Sequence, residues 1–194
     1  SEQELVNRYL SSCSEKKLLD IQMGCLSTED FSSVKEGAST LKKLPIYIDQ
    51  KSVTLPDIRR EVRRHKREHS IHLVVIDYLQ LIVSKGSDSK VNRYLEVSEI
   101  SRGLKLLAKE FNVTVLCLSQ LSRESEKRQG KTPHLSDLRD SGSIEQDADV
   151  VMLLSRLGDQ SSLHVAKNRH GHTGVIKLYF EGSIVKFKDQ YRNL

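Results

Sequence analysis

The 194-residue chain carries 31 Lys and Arg against 26 Asp and Glu, a net charge of +5, with 37% apolar residues and no tryptophan. That length suits one domain with a substantial core, and the mildly basic balance is compatible with a nucleic-acid partner without specifying one. No apolar run approaches the roughly 18 residues of a membrane span, no signal peptide opens the chain, and Cys13, Cys25 and Cys117 lack metal-ligand spacing, as reduced thiols of a cytosolic protein would.

The chain begins SEQEL, without Met, so a piece of a longer polypeptide is expected. Residues 1–44 read as helical. Leu5, Tyr9 and Leu10 begin an apolar stripe that Leu18, Leu19 and Met23 repeat before Gly24 stops it, and Ser27 to Asp30 resembles a capping box. "PIYID" (45–49) is a short strand candidate. Thr54 to Asp57 caps the next helix, with Pro56 in the first turn, where its missing N–H does no harm. That helix carries Arg59, Arg60, Arg63, Arg64, Lys66 and Arg67. Ile58, Val62, His65 and His69 mark its buried side at helical spacing, which favours a solvated basic face over a DNA-binding stripe.

"HLVVIDYLQLI" (72–82) is a nearly unbroken apolar run with Asp77 in its middle, where an unpaired charge would be costly if buried. Either Asp77 caps the turn after the strand or it meets a ligand there. "SKGSDSK" (84–90) reads as a loop. Val97, Ile100, Leu104, Leu107, Ala108 and Phe111 share one face of a helix spanning about 94–111, followed by a second buried strand, "VTVLCLSQ" (113–120), and a third, "DVVMLL" (149–154). "SLHVAKNR", the turn "HGHTG", "VIKLYFE" and "SIVKFK" form an antiparallel meander over 161–188. Continuous apolar strands alternating with helices predict a parallel sheet over 45–154, covered on both faces. In such sheets ligands bind beyond the carboxyl ends of the strands, where Asp77, Ser119 and Gln120 lie.

"GKT" at Gly130 to Thr132 is not a phosphate-cradling loop. Ser125 stands where that motif needs Gly, no strand leads into it, and Pro133 follows in place of a helix.

Five blocks, in order, resemble the C-terminal motor domain of the DnaB-family replicative helicases, hexameric members of the RecA-like ATPases: "VVIDYLQLI" (74–82), "EISRGLKLLAKEFNV" (99–113), "VLCLSQLSR" (115–123), "DLRDSGSIEQDAD" (137–149) and "KNRHG" (167–171). "SEQELVNRYL" (1–10) looks like the helix after the family's second motor strand. The resemblance implies a RecA-like, mostly parallel sheet flanked by helices, and residues 1–194 as one partial ATPase domain ending in the meander. It implies ATP and Mg2+ as cofactors, hydrolysis at subunit interfaces and movement along single-stranded DNA. It further implies a homo-hexamer in the full-length protein, a primase and a helicase loader as partners, no membrane association, and a cytoplasmic location.

Residue by residue, the resemblance makes Asp77 the Walker B carboxylate that holds magnesium through water, and Gln120 the sensor of the γ-phosphate. Arg169 becomes an arginine finger reaching a neighbouring subunit, with Lys167 beside it. Arg8 is placed near the γ-phosphate on a weaker local match, and Arg139, Asp140 and Gly142 track the DNA backbone. Asp140 departs from the glutamate usual at its position. The bland alternatives are a strand-end amide for Gln120, solvated hairpin cations for Lys167 and Arg169, and a surface helix cation for Arg8. The loop acids Asp137, Asp140, Glu145, Asp147 and Asp149 read as caps and packing contacts rather than a metal cluster, and His170 and His172 lack companion ligands. With no phosphate loop, and with the family's catalytic glutamate falling two residues before Ser1, this chain alone is expected not to hydrolyse ATP. The alternative functions are a catalytically incomplete DNA-binding or regulatory subunit, or another RecA-like ATPase. A sheet lacking its earlier strands is also expected to expose apolar surface and to associate irregularly.

Overall fold

The computed structural model describes residues 1–83, 93–122, 133–138 and 142–190. The expected loop at 84–90, and Arg139 and Asp140, lie outside the described residues. The chain packs as two compact units: residues 1–50, 156–163 and 176–194 form one, and residues 51–155 and 164–175 the other.

In the first unit, α1 (Glu2–Ser14), α2 (Leu18–Met23) and α3 (Thr28–Lys43) are set by their ends. Ser1 and Ser27 cap α1 and α3 through their side chains, Ser27 accepting from the Asp30 N–H at 3.1 Å. Gly24 closes α2 at φ 69°, a left-handed conformation that glycine enters without steric cost. Gly37 is buried on the side of α3 that meets α1, where a Cβ would make ordinary contact with Leu10 and Cys13 at 3.9 and 3.8 Å. The stripe read from the sequence is only partly buried, with Leu5, Leu19 and Met23 exposed.

"PIYID" is not a strand. Residues 45–49 have no regular structure, and Ile46, Tyr47 and Ile48 are exposed. An apolar pentapeptide becomes a strand only with a ladder partner, and none of the described strands pairs with it.

The second unit holds the parallel pair. Helix α4 (Leu55–His69) is capped by Thr54, whose Oγ1 accepts from the Asp57 N–H at 3.3 Å and donates to the Asp57 carboxylate at 2.6 Å. Strand β1 (Leu73–Ile76) pairs in parallel with β2 (Thr114–Cys117), Leu73 opposite Thr114 and Ile76 opposite Cys117, and α5 (Arg93–Phe111) makes the crossover. Val74, Ile76, Val115 and Cys117 pack on a core from α4 and α5 centred on Val62, Val97, Ile100, Leu104 and Leu107. Leu73, Val75, Leu116 and Leu118 on the other face are exposed.

The basic face of α4 is laced with ion pairs. Glu110 holds Arg59 and Arg63, Glu61 and Glu68 hold Arg64, and Asp57 holds Arg60. His69, expected on the buried side, is exposed, because it sits in the last turn beyond the core that Val62 enters.

"DVVMLL" corrects a second expectation. Strand β3 (Val150–Leu157) is not hydrogen-bonded to β1 or β2; it opens a separate sheet of order β3-β4-β5-β6, with β4 (Gln160–Asn168), β5 (Gly174–Glu181) and β6 (Lys186–Asp189). Its burial alternates, Val151 and Leu153 inside and Val150, Met152 and Leu154 exposed, which a continuous apolar run does not reveal. The meander itself is as expected, with β5 and β6 antiparallel.

Candidate nucleotide-binding site

The carboxyl ends of β1 and β2 lie side by side. Pairing continues past both strands: the Leu118 N–H donates to the Ile76 carbonyl at 2.9 Å, and the Leu79 N–H to the Leu118 carbonyl at 2.9 Å. Asp77 therefore leaves β1 one residue from that link, and Gln120 stands two residues past it on the other strand. The Asp77–Tyr78 peptide is cis. Asp77 is exposed, and its carboxylate has no hydrogen-bonding or ion-pair partner among the described residues. A turn cap would spend those oxygens on backbone N–H groups, so the capping alternative does not describe this residue. An open, acceptor-only group at a strand's carboxyl end suits a hydrated magnesium ion, which keeps several waters and needs few protein ligands.

Gln80 ties the two strand ends together, and no motif in the sequence singled it out. It sits in the 3-10 turn Leu79–Leu81; its amide donates to Ser119 Oγ at 3.1 Å, and its carbonyl accepts from the Gln120 N–H at 3.4 Å. The available signal was its place inside the block 74–82, as the second polar interruption, after Asp77, of a largely apolar run. Beyond Gln120 the chain bridges antiparallel to Leu138 through Leu121, and the Ser122 N–H donates to the Asp137 carbonyl at 2.7 Å. The sensor segment is thus bonded to the two residues that precede position 139.

Lys167 and Arg169 meet the last turn of a short helix, α6 (Gly142–Asp147), which Gly142 opens. Lys167 Nζ donates to the Glu145 carbonyl and Arg169 Nη2 to the Gln146 carbonyl, two of the carbonyls a helix end leaves without intrahelical partners. Arg169 Nη1 also donates to Asp149 Oδ1 at 3.3 Å, and its N–H to the Asp149 carbonyl at 2.9 Å. Asp149 Oδ2 takes Lys105 of α5. That Lys105 hydrogen bond, with the charges of Lys105 and Arg169 nearby, holds the Asp149 carboxyl below the usual carboxylate range against its partial burial. The folded value being lowered, the pair's stabilisation is complete above the ordinary Asp range and is lost as pH falls through the lowered one. Lys167 and Arg169 are therefore not simply solvated cations.

Of the loop acids that are described, Asp137, Asp147 and Asp149 have side-chain partners, whereas the Glu145 carboxylate has none among the described residues. Asp137 is buried and accepts from the His134 N–H at 2.7 Å, and Asp147 accepts from Ser101 of α5 at 2.8 Å. Arg8 lies in the first unit, exposed on α1, with Glu4 as a nearby charge.

A parallel pair with a crossover helix, its exposed polar groups gathered at the carboxyl ends of the strands, fits the RecA-like α/β class, and the comparisons carry that assignment. Residues 1–189 match the family described as "DnaB-like helicase C terminal domain", and the chain belongs to that family. It is 43% identical to the replicative DNA helicase DnaB of Geobacillus stearothermophilus, over 96% of this chain and 43% of that protein. With its counterpart in Mycobacterium intracellulare it shares 41% identity over 99% of this chain and 35% of that protein. The chain thus spans less than half the length of these relatives. A solved DnaB-like replicative helicase, described with its interactions with primase, superposes with a TM-score of 0.89 at 32% identity, over 96% of this chain and 48% of that one. A second solved structure, an ATPase domain, superposes at 0.88 and 32% identity over 97% of this chain and 71% of its own.

Proposed function

We propose that the chain is the second half of a motor in a hexameric replicative helicase, which couples ATP hydrolysis to movement along single-stranded DNA and to duplex unwinding. The observation that carries this is the pair of parallel strand ends with Asp77 unpartnered on one and Gln120 on the other, tied by Gln80. Asp77 would hold magnesium through water, and the ion would neutralise charge on the β- and γ-phosphates. Gln120 contacts the γ-phosphate through its amide and passes the change along Leu121 and Leu138 to the DNA loop of Arg139, Asp140 and Gly142. Lys167 and Arg169 serve a nucleotide held by the adjacent subunit, where a cation stabilises the charge that develops on the γ-phosphoryl. Arg8, on a weaker local match, is a further candidate for a γ-phosphate contact by family resemblance alone.

Because the phosphate loop is not among these residues, the 194-residue chain alone is expected not to turn over ATP. In the full-length protein the partners are single-stranded DNA, primase and a loader, in the cytoplasm. Among the described residues, no helix is long and apolar enough to cross a membrane.

The test is complementation in trans. Full-length Asp77→Asn and Arg169→Ala are each expected to lose DNA-stimulated ATPase activity. Mixed in equal amounts, they re-create interfaces with an intact carboxylate facing an intact finger, and up to about a quarter of wild-type turnover returns if interfaces fire independently. No recovery on mixing would refute action between subunits.

A further inference from the structure

We infer that Asp149 is a positioning residue for Arg169, holding its guanidinium against its own chain while leaving donors open to an anion presented from outside. The inference rests on the reading of Arg169 as a cation that acts on a nucleotide bound by another copy.

Arg169 follows β4, and Asp149 immediately precedes β3, the neighbouring strand of the sheet. The backbone bond from the Arg169 N–H to the Asp149 carbonyl, at 2.9 Å, fixes the two residues opposite each other before their side chains are considered. The side chains add two anchors of different kinds. Nη1 donates to Asp149 Oδ1 at 3.3 Å, and Nη2 donates to the Gln146 carbonyl at the end of α6. A guanidinium presents five N–H donors in a rigid plane. These two bonds are its side-chain contacts among the described residues, so three donors remain for a phosphate. The group is about 43% exposed, which keeps those donors within reach of a partner.

Lys105 explains why the clamp does not consume the finger. An arginine facing a free carboxylate tends to pair through two parallel bonds, which would close one edge of the guanidinium. Here Oδ2 of Asp149 is taken by the Lys105 ammonium from α5, so Arg169 is offered one oxygen. Asp149 thus sits between two cations from different elements, paired with the finger but not saturating it. Such an arrangement fixes a long, rotamer-rich side chain before its target arrives, and orientation fixed in advance is what a transition-state contact needs.

The experiment uses the full-length protein, with steady-state DNA-stimulated hydrolysis measured at raised enzyme concentration so that slow variants are readable. Asp149→Asn should lower kcat by about 10- to 100-fold with KM for ATP within about twofold, the size expected when a catalytic group is misplaced rather than removed. Asp149→Glu should restore part of the loss. Lys105→Met, with Asp149 intact, should lower kcat by a smaller factor, with only the small drop in melting temperature that loss of a partly exposed ion pair brings, which keeps the inference testable if Asp149→Asn folds poorly.

The deciding comparison is the double variant. If Asp149 acts through Arg169, Asp149→Asn adds nothing on an Arg169→Ala background. A double variant slower than Arg169→Ala by the full Asp149→Asn factor would overturn the inference, as would wild-type kcat for Asp149→Asn. Wild-type turnover by Arg169→Ala would instead overturn the finger reading itself.

Discussion

Replacing Gln80 with Leu is the most direct probe of how the two strand ends are joined. The substitution keeps the bulk of the side chain and removes the amide's bonds, among them one to Ser119 Oγ at 3.1 Å and one from the Gln120 N–H at 3.4 Å. The second is near the outer limit of a hydrogen bond and so contributes less. At roughly 0.5–1.5 kcal/mol net for each bond, the folded state should lose about 1–2 kcal/mol. For a chain of this size that lowers the melting temperature by a few degrees, roughly 2–4 °C for each kcal/mol. Gln80→Glu retains an acceptor for the Gln120 N–H and can take the Ser119 hydroxyl as a donor, so its melting point should stay near wild type. Thermal melting of the 194-residue chain reads the stability effect. In the full-length protein, ATP turnover should fall about tenfold for Gln80→Leu, because Gln120 loses the tether that fixes its backbone. A leucine variant that melts with the wild type and turns over ATP at its rate would refute the idea that Gln80 holds the sensor.

Cys117 should be the slow thiol of the three. Burial pushes its pKa up to about 11, whereas Cys13 and Cys25 are exposed. At pH 8 its thiolate fraction is about two orders of magnitude below that of an ordinary cysteine, so a thiol-reactive reagent should modify two cysteines quickly and the third only on unfolding. Three equal rates would contradict the packing of β2 on α5. Gly103→Ala tests the α4–α5 contact, since a Cβ there would lie 2.1 Å from Leu55 Cδ2. Alanine gains about 1 kcal/mol of helix propensity, but displacing Leu55 from the core it packs against costs about 1–3 kcal/mol. A net loss of about 1 kcal/mol by chemical denaturation is expected, and a more stable variant would mean that Leu55 swings aside freely.

Signals confined to a few neighbouring residues were legible without a structure. Thr54 and Ser27 cap their helices as their spacing indicated, Gly24 ends α2, and the apolar stripe from Val97 to Leu107 faces the core. The motif blocks carried the family, and with it the roles proposed for Asp77 and Gln120, because those roles attach to residue types at fixed local offsets.

What the sequence by itself determined was therefore where helices begin and end, which strands are apolar, and which family the chain resembles. The tertiary structure alone decided which strands pair and which side chains meet. "PIYID" found no ladder partner, "DVVMLL" joined β4 rather than β2, and the candidate finger cations turned onto the end of α6. Gln80 meets Ser119 across 39 positions and Lys105 meets Asp149 across 44. Capping and periodicity act within a turn or two of backbone, so they leave a local mark. A ladder partner or a shared carboxylate is fixed only when the whole chain has closed its loops.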